Sequence, residues 1–255
     1  MQEILKTTML GLFFGTFGTT IGGIIGIKLK RNSNKFLSFI LSFASGLMMA
    51  IICFDLIPEA LNISDIISVI LGILIGIITM IFCDLIVQKK FNSKKINIKK
   101  GKIKGNDLLK TGIIVSIGLA IHNFPEGLAI GSGFEASIKL GLGLAIAICL
   151  HDIPEGISMA VPMKNGGMKK SQVLYYVILS GITTGIGAFF GAIIGTISEQ
   201  IIAICLSFAA GATLYIASRR INTRSKSTIS WKNNRSRKYN RIFNRNVCND
   251  DINYC

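Results

Sequence analysis

The sequence has little charge, since only 16% of its 255 residues are Asp, Glu, Lys or Arg. A soluble domain of this length carries about a quarter. Half of the residues are apolar, and the mean hydropathy is +0.56. This composition argues against a cytosolic globular enzyme and favours a bundle of membrane helices. At roughly 20 apolar residues for each span, the length allows about seven or eight spans.

Common signatures of enzymes and of thiolate metal sites are missing. The sequence has no H-E-x-x-H zinc-protease motif and no G-x-S-x-G nucleophile motif. None of the six cysteines forms a C-x-x-C pair, and four stand singly inside apolar runs, where cysteine acts as a small apolar filler. Histidine occurs only twice, at His122 and His151.

The net charge of +15 is concentrated in two segments. Residues 88–110 contain nine Lys and one Asp, residues 219–255 contain ten Lys or Arg and two Asp, and the remainder sums to −1. A nucleic-acid-binding protein would spread basic residues over one folded face, with aromatic residues among them. Because this charge lies beside apolar runs, it is typical of a membrane topology signal, and no nucleic-acid partner is predicted.

Seven apolar runs are long enough, or nearly so, to cross a bilayer as helices. The first, third and fifth loops between them are basic and the other three are not. The positive-inside rule therefore predicts a multi-pass plasma-membrane protein with its N-terminus outside. Residues 88–110 have no helical or strand period and are predicted to form a disordered cytoplasmic loop. The predicted spans are residues 7–27, 36–57, 66–87, 111–133, 138–161, 173–197 and 201–218.

Glycines spaced four residues apart predict close contacts between these spans, because small residues let helix backbones approach one another. Gly72 and Gly76 form one such pair. Gly187, Gly191 and Gly195 form a longer ladder.

The pattern H-[N/D]-x-P-E-G occurs twice, 29 residues apart, inside the fourth and fifth spans. Ionisable residues inside a span are costly and by default indicate function. A His and a Glu four positions apart share one helix face, and the Asn or Asp lies about 100° around it. Two such helices facing each other present nitrogen and oxygen donors that suit Zn²⁺, Fe²⁺, Mn²⁺ or Co²⁺. The candidate ligands are His122, Asn123, Glu126, His151, Asp152 and Glu155.

These two motifs resemble those of the ZIP (ZRT/IRT-like) family of divalent metal transporters, in its bacterial zinc-uptake branch. The resemblance covers about residues 1–218, and F-D-L-I-P-E-A at residues 54–60 is similar to the family's pattern there. It implies an all-α polytopic membrane bundle. The family has eight spans and both termini outside, whereas this sequence has seven spans. The resemblance also implies a transporter rather than an enzyme, with the metal as cargo and no catalytic cofactor.

The resemblance further implies a binuclear metal centre on spans four and five. In many relatives a glutamate of span six completes the second site, whereas residues 180–185 read S-G-I-T-T-G here. The second site is therefore expected to be weaker or differently completed. Asp55 and Glu59 would lie on the metal path. By resemblance, the first site consists of His122, Glu126, His151 and Glu155, and the second of Asn123 and Asp152 with Glu126 and Glu155 as bridges.

The function expected from these residues is uptake of a divalent metal into the cytoplasm, by alternating access about a site near the bilayer midplane. Zinc is the first choice, and Fe, Mn, Co and Cd remain open because they share these donors. Two alternatives also stay open, a membrane-embedded metal-dependent hydrolase and a non-functional truncated transporter. The expected partners are the metal ion and the lipid bilayer, and a homodimer is left open.

The basic tail, residues 219–255, departs from the family pattern. Relatives continue into an acidic D/E-E-L-I-P-E segment and an eighth span, whereas this chain continues R-R-I-N-T-R-S. With A/T-leaning codons, the same nucleotides read one base later encode E-E-L-I-P-E-A, and the stretch near residues 239–253 becomes an apolar run. We therefore expect a transport domain at residues 1–218, followed by a tail whose reading frame is shifted after about Ser218.

Overall fold

The computed structural model describes residues 1–29, 34–91 and 105–218, and these ranges contain helices and no strands. Seven helical spans in them are long and apolar enough to cross a membrane. Both the all-α fold class and the number of spans predicted for this sequence are confirmed. The elements are α1 (Gln2–Lys28), α2 (Asn34–Ile51), a π-helical segment (Ile52–Leu56), α3 (Ile57–Ile63), α4 (Ile66–Phe91), α5 (Gly105–Ala136), α6 (Ile138–Asn165), α7 (Lys170–Gly195) and α8 (Glu199–Ser218).

The second span is longer than the hydropathy run that predicted it. The run ended at residue 57, but the chain stays helical through the π-helical segment and α3 to Ile63. Pro58 lies in the first turn of α3, where its missing N–H is tolerated. A π-helical turn shifts the backbone hydrogen bonds by one residue, and such turns are a usual way to absorb an interruption in a helix.

The third loop is shorter than predicted on both sides. Helix α4 continues to Phe91 and α5 begins at Gly105, so helix extends into both ends of the segment 88–110. Residues 92–104 lie outside the described residues, as does the tail at 219–255.

A short polar connection joins α3 to α4. The carboxylate of Asp65 precedes α4 and accepts two hydrogen bonds from Ser68, one from its backbone N–H at 3.0 Å and one from its hydroxyl at 2.7 Å. This arrangement caps the first turn of α4. The hydrogen bond from the Ser68 hydroxyl, followed by that from the backbone, lowers the pKa of Asp65.

The hairpin between α5 and α6 sets the depth of the two sequence motifs. Ser137 is the single residue between these helices; it is extended, and its side chain accepts a hydrogen bond from the Leu140 N–H at 3.1 Å. Ser137 lies 15 residues after His122 and 14 before His151. At 1.5 Å per residue, each histidine is about 21–22 Å along its helix from the turn. The antiparallel hairpin therefore brings both motifs to nearly the same level.

Glycines on α1 let this helix pack directly on the backbones of α6 and α7. A Cβ atom at Gly18 would overlap the Cys149 carbonyl of α6, and one at Gly22 would overlap the Ile153 carbonyl. The predicted glycine contacts elsewhere are confirmed, because Gly72 and Gly76 meet α8, and Gly187 and Gly191 meet α5. The contacts of α1 were not predicted, although glycines at positions 11, 15, 18, 22 and 26 already trace one helix face.

Gly22→Ala is expected to destabilise the bundle, because the new methyl group meets fixed backbone rather than a flexible side chain. Overpacking of this kind costs about 1–3 kcal/mol. Each kcal/mol lowers the melting temperature of a 150–250-residue domain by about 2–4 °C. Thermal melting of the purified protein in detergent measures the effect. Gly143→Ala is the control, since a Cβ there has nothing within 4 Å, and equal melting of the two variants would contradict the packing argument.

Candidate metal site

The two sequence motifs meet in the interior of the bundle. All six predicted ligands are buried, and none of their side chains is more than 3% exposed. Helices α5 and α6 supply three each and continue unbroken past Pro125 and Pro154. Polar side chains at this level of a membrane bundle are costly unless they meet a partner.

Glu126 lies between the two imidazoles. Its Oε1 atom is 2.9 Å from His122 Nε2 and 2.8 Å from His151 Nε2. His122 belongs to the same helix, one turn earlier, whereas His151 reaches across from α6. One carboxylate oxygen therefore joins the two motif copies, and its symmetric position follows from their equal depth in the hairpin.

The other acidic side chains surround this pair. Glu155 Oε1 is 3.8 Å from His122 Nε2, and Asp152 Oδ1 is 3.7 Å from His151 Nε2. Two overlapping triads have ligand atoms within 4.8 Å of one another. Mixed imidazole and carboxylate donors at such spacing suit zinc and similar divalent metals. The triads are His122 with His151 and Glu155, and Glu126 with His151 and Asp152.

Helix α7 contributes a neutral wall to the site, and its hydroxyl residues were not among the predicted ligands. The side-chain amide of Asn123 donates to the Ser180 carbonyl at 3.0 Å, and the Thr183 hydroxyl donates to the Ala120 carbonyl at 2.8 Å. Ser180 and Thr184 are fully buried. The available signal was the cluster of hydroxyl residues at 180, 183 and 184 inside an otherwise apolar run.

Apolar residues cover one side of the Glu126–His151 contact. A small cavity there is bounded by Leu56 of the π-helical segment, by Ile148 of α6, and by neighbouring residues. Leu56 is 3% exposed and Ile148 is 2% exposed. These two apolar side chains therefore cover the site on this side. The remaining lining residues are Ile51, Ala129, Ala209 and Thr213.

The two residues assigned by resemblance to the metal path lie apart from both triads. Asp55 is exposed and Glu59 is half-buried. They lie one turn apart on the second span, on either side of Leu56, which itself lines the cavity beside the site. Among the described residues, neither carboxylate belongs to a group that could hold a metal.

Comparison with known proteins identifies the family. The sequence model of the ZIP Zinc transporter family matches residues 92–221. The zinc transporter ZupT of Clostridium perfringens is 32% identical, and the match covers 85% of each chain. The chain belongs to the ZIP family. Other similar ZIP proteins are the zinc transporters ZupT of Oceanobacillus iheyensis, 32% identical over 85% of this chain and 87% of the relative, and of Corynebacterium glutamicum, 30% identical over 82% and 84%.

Membership in the ZIP family decides between two of the functions left open by the sequence. This ZIP protein is a transporter rather than an enzyme, which removes the alternative of a membrane-embedded hydrolase. Its seven apolar spans and its relatives agree on a multi-pass membrane protein.

Proposed function

We propose that this ZIP protein moves divalent metal, zinc in the first place, across the plasma membrane into the cytoplasm through the buried site on α5 and α6. The observation that carries the proposal is the meeting of two imidazoles, three carboxylates and an amide at one level of an apolar bundle. Zinc is the metal named for the relatives. The site's nitrogen and oxygen donors are compatible with it.

Unsatisfied polar atoms at the site support a cation as its partner. Glu126 Oε2, Asn123 Oδ1 and His122 Nδ1 are buried and have no hydrogen-bond partner among the described residues. Leaving such an atom unpaired costs about 1–3 kcal/mol, and more when it is charged. A purely structural polar network would be expected to satisfy these atoms, whereas a metal ion would offset their cost.

Transport follows from exchanging one set of ligands for another. A hydrated ion loses water as the carboxylates and imidazoles replace it, and alternating access opens the site to one side at a time. We assign the side of Leu56 and Ile148 to the exterior, because the basic loops mark the opposite side as cytoplasmic. In this assignment the apolar cover separates the site from the exterior.

Zinc flux into proteoliposomes tests the function directly. Purified protein is reconstituted with a zinc-sensitive dye in the lumen, and external zinc is added. We expect dye signal that depends on the protein and that Glu155→Ala abolishes. If correctly inserted protein carries no zinc in either direction, the proposal is wrong. Zinc flux that starts only from the face opposite to the N-terminus would reverse the proposed direction.

Asp55 and Glu59 are proposed to collect metal at the outer approach. Asp55→Asn is expected to lower uptake a few fold at low zinc and low ionic strength, because exposed carboxylates raise the local cation concentration and salt screens this effect. Saturating zinc should restore the rate. Asp65→Asn is the matched control, since Asp65 is also exposed and asparagine still caps α4. An equal loss in both variants would contradict a specific path through Asp55.

A further inference from the structure

One end of the helix bundle presents a cluster of lysines. Helices α1 and α6 end there, and α5 and α7 begin there. Four of these lysines are exposed, and the one on α6 is half-buried. We call the cluster the cationic face; its members are Lys28 of α1, Lys110 of α5, Lys164 of α6, Lys169 directly before α7 and Lys170 at the start of α7.

Direct contacts hold the ends of α1, α5 and α6 together. The Lys164 side chain donates a hydrogen bond to the Leu29 carbonyl at 2.9 Å, and Leu29 directly follows Lys28, the last residue of α1. Gly166, just after α6, lies so close to Leu109 of α5 that a Cβ atom would overlap its backbone. Leu109 in turn precedes the lysine of α5. The lysines of these three helices therefore belong to one surface.

A tight turn adds the start of α7 to this surface. The Met168 N–H donates to the Met163 carbonyl of α6 at 3.1 Å, so the chain folds back before Lys169. A positive charge at the beginning of a helix opposes the helix dipole. Lys169 and Lys170 are therefore placed where they do not favour the helix that they begin.

The cationic face has no acidic counterpart on the protein. Within the described ranges, none of its five lysines is paired with a carboxylate. At the opposite end of the bundle, by contrast, Lys6 pairs with Glu3 at 2.6 Å, and carboxylates outnumber lysines. The described acidic residues of that end are Glu3, Asp55, Glu59, Asp65, Glu135 and Glu199, against the two lysines Lys6 and Lys139.

A pair of tyrosines indicates that the cationic face lies at the level of lipid headgroups. Tyr175 of α7 is 62% exposed, and its ring packs edge-on against that of Tyr176. Tyr175 follows Lys170 by five residues, which is about 7–8 Å along the helix. Exposed tyrosines near the end of an apolar span typically lie at the membrane–water interface. The anions within reach of these lysines are therefore those of the lipid leaflet.

The charge of the cationic face also opposes the release of a cation toward it. Glu155 of the metal site lies nine residues before Lys164 on α6, about 14 Å along the helix. Charge is screened less by an apolar bundle than by bulk water. A divalent ion that leaves the site toward this end moves against a positive potential, unless bound anions cancel that potential.

We infer that the cationic face binds the anionic headgroups of the facing lipid leaflet, and that the bound lipid speeds metal release by cancelling the positive potential. The effect on release rests on the proposed function and direction, because the positive-inside rule makes this end cytoplasmic. Lipid binding itself rests only on the charge and the level of the face. Anionic lipid is the complementary partner, since lysines near a membrane surface are attracted to it.

Lipid retained by the purified protein tests the binding. The full chain in detergent is incubated with an equal mixture of phosphatidylglycerol and phosphatidylcholine, repurified, and analysed for bound phospholipid by mass spectrometry. We expect the anionic lipid to be enriched, and soluble glycerophosphate not to displace it. Each lysine near a membrane surface contributes a factor of about five in affinity, so Lys169→Gln with Lys170→Gln should retain several-fold less phosphatidylglycerol.

The matched control is Lys6→Gln with Lys139→Gln. It removes the same charge from the opposite end of the bundle and should retain as much phosphatidylglycerol as the unmodified chain. Residues 92–104 and 219–255 are identical in both double variants, so any lipid that they bind cancels in the comparison. Equal retention by the two double variants, or displacement of the lipid by glycerophosphate, would overturn the assignment of the cationic face to anionic lipid.

Zinc flux tests the effect on release. The three proteins are reconstituted in vesicles of phosphatidylcholine alone and of the equal lipid mixture, and flux is normalised to protein inserted in one orientation. We expect the anionic lipid to raise flux several-fold in the unmodified chain and in the control, and clearly less in the Lys169→Gln, Lys170→Gln variant. Any attraction of external zinc to the anionic membrane is common to all three proteins.

The outcomes separate this inference from the function on which it partly rests. Equal stimulation of all three proteins would overturn the effect on release and leave the transport proposal standing. No flux from any of them would overturn the transport proposal together with the effect on release. The retention measurement would then still decide whether the cationic face binds anionic lipid.

Discussion

Glu126→Ala is expected to abolish zinc uptake while leaving the protein folded and inserted. Glu126 contacts both histidines, at 2.9 and 2.8 Å, so its loss removes a donor and a link between the two helices. Loss of an outer-shell partner of a metal site already costs about 10–100-fold. Loss of a direct and central ligand should therefore lower uptake by roughly 100-fold or more.

Stability must be measured in this variant before the loss of uptake can be interpreted. Glu126 is almost fully buried and its Oε2 atom has no hydrogen-bond partner among the described residues. Removing this carboxylate relieves its desolvation cost, but it leaves two buried imidazoles without the oxygen that they contact, so we expect a lower melting temperature in a protein that still folds. Uptake is measured in zinc-starved cells at equal membrane abundance, together with thermal melting in detergent.

Two further variants make the comparison specific. Glu126→Gln keeps the shape and removes the charge, and should fail almost as completely as alanine. Glu135→Gln removes a carboxylate from the same helix, half-buried and outside both ligand triads, and should transport normally. Normal uptake in Glu126→Ala would disprove the assignment of the site to α5 and α6.

Those parts of the structure that depend on local pattern could be predicted from the sequence. Apolar runs predict the seven spans because a segment that crosses lipid needs apolar side chains and, as a helix, pairs its backbone polar groups internally. The repeated motif gave the six candidate ligands, and its symmetric placement about Ser137 explains why the structure brings them together.

Features that depend on contacts between helices could not be predicted. The π-helical segment before Pro58 arises from how one span accommodates proline, and hydropathy does not register hydrogen-bond shifts. The contacts of Ser180 with Asn123 and of Thr184 with Gly15 depend on which face of α7 meets α5 and α1. A hydroxyl in an apolar run otherwise satisfies itself on its own helix, as Ser132 does in donating to the Leu128 carbonyl at 2.8 Å.

The sequence of the tail beyond Ser218 is the basis for a second large expected effect on zinc uptake. The family match ends at residue 221, close to the position where the basic tail begins. With A/T-leaning codons, the shifted reading of the tail would give E-E-L-I-P-E-A, which repeats L-I-P-E-A as it stands at residues 56–60 of this chain. This agreement favours a frame shift over an unrelated basic arm, and it predicts a second acidic segment of the kind that carries Asp55 and Glu59.

Restoring the reading frame after Ser218 is expected to increase zinc uptake strongly over that of the sequence as written. The restored segment adds carboxylates to the proposed metal path and an eighth apolar span to the bundle. That span would cover polar backbone and side-chain groups whose exposure to lipid costs several kcal/mol each. Both versions are expressed in zinc-starved cells and compared at equal membrane abundance, with Glu126→Ala in each as the inactive reference. Equal uptake by the two versions would mean that the eighth span is dispensable, and a nucleotide sequence whose shifted frame lacks L-I-P-E would remove the basis for the shift.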